Sequence, residues 1–474
     1  MANNKYDVTI IGSGIGGLMC GAKLAKKGVK VLIIEKHIRP GGCVTSCRKN
    51  GFNFDYGAHI FGSCNKNGIL RYYLDELKID IDFIRINPTE RFIFPDQVIE
   101  VPQDIDKYAA LLKSSYSLEA ENIDPFFKEV VKIARSFSSD KLLAKYSGMT
   151  FEDLLKKYFK DEKLMSVLSA EFRYMGSTPK VLAATSMCLM MVSYLRDGAY
   201  YPRGGSQVFS NALADRFKQY GGTLLLGSEV TDILIKNKKI YGVKTADKNV
   251  YLSDAVVSNG DAIRTMTQLV DSHEIGSTYL KKLKNLRIGP SFFMIFLGVK
   301  DSPVLKDKSG WYHFSYGLDL EPAQSLYIFM PSFLDDSLAP KGRHVLDVAM
   351  PFPYAYGDIT DWDLCKNEMR NRVMNIVNMI IPGVSNLIEF EESATPKTIQ
   401  RYTYNSHGSI CGWAMDSDQV QAGRLAYETP VESLYLTGQW TNPGCGVVSA
   451  ATSGWIIADR ILSKRGSNKA ILAS

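Results

Sequence analysis

Residues 7–17 read DVTIIGSGIGG, a short apolar segment followed directly by a G-x-G-x-x-G turn at Gly12, Gly14 and Gly17. The segment predicts a buried strand, and the residues from about Ile15 to Lys27 predict a helix. In such a turn the first glycine permits the tight bend, the second lets backbone amides approach a pyrophosphate, and the third lets helix and strand pack closely. The sequence therefore predicts a nucleotide-binding βαβ unit at the start of the chain.

The second strand of this unit, predicted from Val29 to Glu35, ends on an acidic side chain. A carboxylate about twenty residues after the turn is placed to accept hydrogen bonds from a ribose diol. The helix N-terminus supplies unpaired N–H groups and partial positive charge for the phosphates. We expect the dinucleotide to contact Gly12, Ser13, Gly14, Ile15, Gly16, Gly17, Glu35 and Lys36. These residues alone leave NAD and FAD open.

Distant segments decide between the two cofactors. Residues 39–43 read RPGGC and residues 51–59 read GFNFDYGAH, while residues 434–439 read LYLTGQ and residues 443–449 read PGCGVVS. The first two segments resemble the second glycine doublet and the flavin-facing segment of the FAD-dependent amine oxidase and carotenoid desaturase superfamily. A helix N-terminus after the last segment, aimed at the flavin, would stabilise negative charge on the reduced ring.

The resemblance implies FAD as the cofactor and adds residues to the expected site. These are Gly41, Gly42, Cys43, Gly57, Ala58, His59, Val230, Gly438, Gln439, Gly446, Val447 and Val448. Val230 enters because superfamily members hold the adenine with a valine backbone at this place. Most members carry an arginine where this chain has Cys43, so an arginine contact to the cofactor is not carried over.

Further stretches resemble one branch of the superfamily, which contains phytoene desaturases, carotenoid isomerases and retinol saturases. They are residues 200–206 (YYPRGGS), 393–396 (SATP), 407–413 (HGSICGW) and 437–449. The resemblance spans nearly the whole chain. It implies an FAD-dependent oxidoreductase that acts on carbon–carbon bonds of a long apolar isoprenoid or polyene, by hydride transfer to or from flavin N5. Residues 436–439 lean towards the saturase and isomerase side.

A chain of 474 residues exceeds the roughly 250–300 residues that one core holds. The expected fold class is α/β: a discontinuous Rossmann-type, GR2-like FAD-binding domain (1–70, 200–275 and 412–474), a helical, substrate-lining insertion (71–199) and a β-rich, mixed-sheet substrate domain (276–411). Predicted helices lie at 124–137, 151–168, 206–220 and 361–380, and a last helix ends near Leu462 before a frayed tail beyond Lys464. Predicted strands lie at 223–226, 230–236, 240–246, 291–299, 325–330 and 344–349.

Composition and charge exclude several classes of function. The net charge of +6 comes from 56 basic and 50 acidic residues spread along the chain, without the basic stripe that nucleic-acid binding needs. The eight cysteines and the lack of a leader-like segment predict reduced thiols and a cytoplasmic protein, with possible peripheral contact at the inner face of a membrane. Cys43 and Cys47 lack a second ligand pair, so no metal site is expected.

Two apolar stretches predict the walls of a substrate tunnel. Val181–Leu195 is an uncharged run, too short to span a bilayer, and residues 292–297 read FFMIFL. Burying a long hydrocarbon contributes about 0.8 kcal/mol per CH₂ without any polar anchor, although plain core packing would explain the same residues. Lys180 and Arg196 flank the first stretch, which suits either an interfacial helix or a buried helix whose ends reach water.

The acid–base inventory is thin, and no catalytic residue is assigned. Glu171, Arg173, His59 and His407 could orient or deprotonate a substrate, but each also suits a structural role. One rival is an amine or porphyrinogen oxidase of the same fold, and Cys411 lies where some amine oxidases attach flavin covalently. A second rival is a non-catalytic flavoprotein that carries a lipid.

Overall fold

The computed structural model describes residues 5–135, 140–319, 321 and 324–472. The last two positions of the helix predicted at 124–137, and the extreme ends of the expected FAD-binding domain, lie outside these residues. The strands are β1 (Lys5–Ile11), β2 (Val31–Ile34), β3 (Ser46–Lys49), β4 (Phe52–Asp55), β5 (Phe61–Gly62), β6 (Phe83–Arg85), β7 (Glu90–Ile93), β8 (Val98–Val101), β9 (Ala199–Pro202), β10 (Thr223–Leu225), β11 (Val230–Lys236), β12 (Lys239–Thr245), β13 (Val250–Ser258), β14 (Phe292–Lys300), β15 (Gly310–His313), β16 (Ser325–Phe329), β17 (Arg343–Pro351), β18 (Ile388–Ala394) and β19 (Leu434–Leu436).

The helices are α1 (Ile15–Lys26), α2 (Ile69–Glu76), α3 (Ile105–Ser115), α4 (Ala120–Arg135), α5 (Asp140–Lys145), α6 (Phe151–Tyr158), α7 (Glu162–Ser169), α8 (Phe172–Met175), α9 (Ala184–Leu195), α10 (Ser206–Gln219), α11 (Ala262–Arg264), α12 (Ser277–Asn285), α13 (Trp362–Ile380), α14 (Pro396–Thr403) and α15 (Val447–Leu472). The α/β fold class is confirmed.

The first sheet brings together strands from both ends of the chain. Its order is β10-β2-β1-β13-β12-β11, and β19 pairs with β13. β10, β2, β1, β13 and β19 run parallel, whereas β11 and β12 are antiparallel. Because the carboxyl ends of parallel strands meet at one edge, the turns after β1, β13 and β19 come together there.

The second sheet has the order β18-β14-β17-β16-β15-β7-β8 and is mainly antiparallel. Along β14 the side chains alternate, as a strand requires. Phe292, Met294 and Phe296 face a large core that includes the helices before residue 200. Phe293 and Ile295 pack in a separate core beneath α13.

The region predicted as a helical insertion differs from expectation in two places. Residues 83–101 form β6, β7 and β8, and the latter two extend the second sheet. The single helix predicted at 151–168 is divided into α6 and α7. The side chain of Asp161 caps α7 by accepting from the Leu164 N–H at 2.9 Å, and Glu119 accepts from the N–H groups of Lys160 and Asp161, so the break has its own partners.

The stretch predicted as a possible interfacial helix is buried. Within α9, Met187, Met190, Met191 and Leu195 belong to the large core, so the alternative, a buried helix with wet ends, is the one the fold adopts. Among the described residues, no helix is long and apolar enough to cross a bilayer.

The last helix is longer than predicted. α15 continues to Leu472, and two residues beyond the predicted end, Lys464 and Arg465, have partners on the first sheet. Lys464 donates to the hydroxyl of Tyr435 at 3.0 Å, and Arg465 pairs with Asp7 at 3.0 Å. These contacts to the first sheet explain why the helix does not fray at Lys464.

Candidate cofactor and substrate site

One cavity of about 900 Å³ runs from the edge of the first sheet to the face of the second. Of the residues predicted to contact the cofactor, all but Ser13 and Gly17 line it. Ser13 lies behind the wall and holds Glu35. A Cβ on Gly17 would lie 2.3 Å from the carbonyl oxygen of Gly12, so Gly17 permits the close packing of turn and helix.

Two glycine turns from opposite ends of the chain meet around Asn259. This residue follows β13, and its N–H donates to the carbonyl of Ile11 at 2.8 Å. A Cβ on Gly16 would lie 2.6 Å from Asn259 Oδ1 and 2.9 Å from the nitrogen of Gly438. A Cβ on Gly438 would lie 2.7 Å from the same Oδ1. The amide side chain thus fills the space that the glycines leave and fixes the spacing of the turns.

Glu35 is held in place by the first turn. Its Oε2 accepts from the N–H of Ser13 at 2.8 Å and from the Ser13 hydroxyl at 2.9 Å. Oε1 accepts from the N–H of His37 at 2.8 Å. A carboxylate has about four lone-pair positions and three of them are used, so Oε1 keeps capacity for one ribose hydroxyl.

The second glycine doublet lies directly on the first turn. The N–H of Gly41 donates to the carbonyl of Ser13 at 2.9 Å, and a Cβ on Gly42 would lie 3.3 Å from the Cα of Gly14. Next to the doublet, burial raises the pKa of the Cys43 thiol to about 11, so this side chain is a neutral cavity wall. The doublet and the first turn together form a cradle with almost no side-chain atoms.

This cradle fits a flavin dinucleotide. Gln439 lines the cavity, and its Nε2 is buried without a hydrogen-bond partner among the described residues. A buried amide donor without a partner costs about 1–3 kcal/mol, and a flavin carbonyl or ring nitrogen would satisfy it. The N-terminus of α15 at Val447 lies on the same wall and favours negative charge.

Arg424 places a second positive charge behind this wall. It is 1% exposed and donates to the carbonyls of Gln439 at 2.9 Å, Thr441 at 3.0 Å and Trp413 at 3.2 Å. Burial lowers the pKa of its guanidinium to about 9, which leaves it charged at neutral pH. The charge supports the loop and stabilises any negative charge that develops on a ring beside it.

The other end of the cavity is an apolar arm. We use this name for the part lined by Leu189, Met190 and Val192 of α9, Phe292, Met294 and Phe296 of β14, and Tyr174, Trp311, Tyr327, Ile410 and Met415. Only part of each predicted apolar stretch takes part. Leu182, Met187, Met191 and Leu195 are core residues, as are Phe293, Ile295 and Leu297 of β14, because helix and strand periodicity turn them away from the cavity.

A tyrosine–carboxyl pair lies at the arm. Tyr174 donates its hydroxyl proton to Glu90 Oε1 at 2.6 Å. Burial raises the pKa of Glu90 to about 8 and the pKa of Tyr174 well above its ordinary value. Both groups are therefore protonated near neutral pH, and the pair can donate or relay a proton without presenting a charge to an apolar substrate.

His59 is the one member of the predicted acid–base set that lines the cavity. Its Nε2 lies 3.4 Å from Asp347 Oδ2 and 3.2 Å from the carbonyl oxygen of Asp55. Burial by itself lowers the pKa of His59, but Asp347 and Asp55 outweigh it and raise the pKa above its ordinary value. Asp347 is also fully buried, and burial raises its pKa to about 6.

The other acid–base candidates lie away from the cavity. Burial raises the pKa of Glu171 to about 7 and lowers that of Arg173 to about 10, but neither lines the cavity. His407 stacks on Tyr356 with ring centroids 5.3 Å apart. None of the three lines the cavity.

The prediction that every cysteine is reduced is wrong for one pair. Cys411 and Cys445 are joined by a disulfide with a Cα–Cα distance of 4.7 Å, and Cys445 lines the cavity. The two residues are 34 positions apart in sequence, so spacing could not reveal the pair. A Cys411 sulfur engaged in this bond does not attach flavin covalently. Among the described residues there is no cluster of three or more potential metal ligands.

The fold and this site define a flavoenzyme that accepts an apolar ligand. The sequence matches the family described as flavin containing amine oxidoreductase over residues 15–462. The chain belongs to that family and is an FAD-dependent oxidoreductase.

Relatives that are 26–29% identical to this chain have three different named activities. The chain is 29% identical to prolycopene isomerase 1, chloroplastic, of Oncidium hybrid cultivar, over 98% of this chain and 85% of the relative. It is 26% identical to phytoene desaturase (neurosporene-forming) of Rhodobacter capsulatus, over 95% and 93% of the two chains. It is also 26% identical to human all-trans-retinol 13,14-reductase, over 97% and 86%. A solved oxidoreductase from Methanosarcina mazei has the same fold, with a TM-score of 0.67 at 20% identity, over 96% of this chain and 100% of the other.

Proposed function

We propose that the protein exchanges two electrons with carbon–carbon bonds of a long isoprenoid or polyene, as a desaturase, isomerase or saturase. The observation that carries the proposal is the continuity of the cavity, since the glycine cradle and the apolar arm are parts of one space. The activities named for the relatives all concern carotenoids or retinoids, which agrees with the chemistry of the arm. We also propose the predicted cofactor residues as the FAD contacts, and the predicted domain limits as the functional division.

The arm supplies binding energy without charge. Its aliphatic and aromatic side chains remove water from a polyene, at about 25 cal/mol per Å² of apolar surface buried. Trp311 and Tyr327 pack with ring centroids 4.8 Å apart, which gives the arm a wall of two packed aromatic rings. The side chains of the arm hold a hydrocarbon chain better than a polyamine, which would require carboxylates among them.

The polar groups of the arm are better suited to proton transfer than to binding a charged substrate. Bound FAD supplies the two-electron acceptor or donor. Tyr174 lines the cavity, and its hydroxyl donates to Glu90 behind the wall. The pair would give a proton to, or take one from, the substrate carbon, and His59 would orient groups at the cradle end.

Anaerobic rapid mixing tests the proposal. The FAD-loaded protein is mixed with a polyene such as phytoene or lycopene, and flavin absorbance is followed. Bleaching of oxidised flavin, or re-oxidation of reduced flavin, supports the proposal. If polyenes leave the flavin unchanged while an amine or a porphyrinogen reduces it, the oxidase rival is correct. If the flavin is unchanged and the reduced enzyme also produces no cis–trans isomer of the polyene, the lipid-carrier rival is correct.

We propose that the mouth of the arm rests on a membrane surface, from which such a substrate would be drawn. Ile69 is 42% exposed and Tyr72 is 52% exposed on α2. Ile69, Arg135 and Arg196 all line the cavity, and we propose that they form its mouth, where apolar and basic side chains together suit an anionic bilayer. Flotation with anionic liposomes tests this. R196E should lower the bound fraction and R372E, on the exposed face of α13, should not; wild-type protein that never floats would refute the contact.

A further inference from the structure

We propose that Cys411 and Cys445 form a second redox centre, which exchanges two electrons with the bound flavin. The proposal rests on FAD binding in the cradle and goes beyond the carbon–carbon chemistry. It begins from position, since Cys445 lines the same cavity as the cradle and immediately precedes Gly446, a residue proposed to contact the flavin. Cys411 is fully buried behind it. One sulfur therefore faces the cavity, and its partner is shielded from it.

The disulfide is not required to hold these two segments together. Trp413 Nε1 donates to the carbonyl of Trp440 at 2.9 Å, and their rings pack edge to face with centroids 4.9 Å apart. Arg424 donates to carbonyls on both segments, those of Trp413 and Gln439. Because these contacts are independent of the sulfurs, breaking the S–S bond would leave the cysteines side by side.

The structure also has a hydrogen-bond acceptor ready for the reduced pair. The carbonyl oxygen of Tyr174 lies 3.3 Å from Cys411 Sγ and 3.9 Å from Cys445 Sγ. This carbonyl belongs to the short helix α8, where a carbonyl near the C-terminus lacks an intrahelical partner. It can accept an S–H from either thiol, so both oxidation states fit the same site.

The remaining cysteines argue against a structural network of disulfides. Cys20, Cys43, Cys47, Cys64, Cys188 and Cys365 are unpaired. Chains that use disulfides as a scaffold are rich in them, whereas an isolated disulfide among free thiols is more often catalytic or redox-sensing. Cys43 lines the same cavity but forms no disulfide. Disulfide formation is therefore specific to Cys411 and Cys445 and is not shared by every cysteine of the cavity.

The step balances as a disulfide–dithiol exchange. The S–S bond breaks and two S–H bonds form, so the pair gains two electrons and two protons. The two electrons and two protons come from reduced FAD, which is returned to the oxidised state. The electrons reach the flavin from the organic substrate in the desaturase direction. An external oxidant of the disulfide class then takes them from the dithiol at Cys445, the member that faces the cavity.

Thiol counting after photoreduction tests the proposal on the unmodified holoenzyme. Anaerobic protein with its flavin content measured is kept dark or illuminated with EDTA, which reduces the flavin alone. It is then denatured in a mass-tagging alkylating reagent. We expect six tagged cysteines in the dark sample and eight after illumination. Eight in the dark, or six after complete flavin reduction, would overturn the proposal.

Dithionite titration gives a second measurement that does not depend on polyene turnover. The wild type should consume two equivalents of dithionite per flavin. C445S should consume one equivalent, and the matched control C365A should consume two. Consumption of one equivalent by the wild type would mean a purely structural disulfide. Protein that takes up no FAD contradicts both this proposal and the proposed function. A normal titration with no response to polyenes contradicts only the proposed function.

Discussion

Replacing Gly16 with alanine should weaken FAD binding through the spacing of the two glycine turns. The added Cβ would lie 2.9 Å from the nitrogen and 3.0 Å from the Cα of Gly438, and 2.6 Å from Asn259 Oδ1. Optimal carbon contacts are about 3.5–4.0 Å, so the turns must separate by roughly 0.5 Å or more. Gly16 lies in α1 without a positive φ, so the effect is one of space and not of backbone strain.

Overpacking of this kind costs about 1–3 kcal/mol. The free protein can relax by letting the turns move apart, whereas the bound cofactor needs both turns at once, so most of this cost falls on binding. It corresponds to roughly 5- to 150-fold weaker binding. Quenching of FAD fluorescence by the apoprotein measures the dissociation constant. G357A is the control, because a Cβ there meets nothing within 4 Å. A dissociation constant within about twofold of the wild type for G16A would refute the reasoning.

Three further changes probe the arm, its carboxyl group and the buried cation. L189D should weaken polyene binding by about tenfold in a flavin-monitored titration, since an unpaired polar group in an apolar wall costs about 1–3 kcal/mol. L364D, at an exposed site on α13, is the control and should bind the polyene as the wild type does. Burial raises the pKa of Glu90 to about 8. The contribution of this group to the free energy of unfolding is therefore fully present below its ordinary pKa of about 4.3 and is lost as the pH rises to about 8. In urea unfolding at several pH values, the free energy of unfolding of E90Q should lack this decline. A pH profile of E90Q identical to that of the wild type would disprove the role of Glu90. R424M should lower the flavin midpoint potential by roughly 30 mV, about 1.4 kcal/mol; dye equilibration that finds an unchanged or higher potential would contradict the role of that charge.

The first βαβ unit could be predicted from sequence because its signals are local. The turn at Gly12 stands between an apolar strand and a helix with its own stop, and α1 begins at Ile15 as expected. β11 likewise has the predicted limits, Val230–Lys236. In both places strand period and glycine position point to the same answer.

The features that were missed depend on contacts between distant segments. Asn259 follows β13 as an ordinary strand end, and only the pairing of β13 with β1 and β19 brings it between the turns. Glu90 and Tyr174, the buried Arg424, and the Cys411–Cys445 pair are separated by too many residues for spacing to indicate a partner. Composition similarly could not decide whether α9 was interfacial or buried, because an all-round apolar helix suits both.

The central claim is that the first turn and the C-terminal turn hold one FAD between them. Native mass spectrometry of the purified chain, before and after incubation with FAD, tests it directly. The account predicts a mass increase of one FAD per chain, which survives gentle desalting and is lost on denaturation. A chain that shows no bound FAD at any concentration, with its fold intact by circular dichroism, would contradict the account.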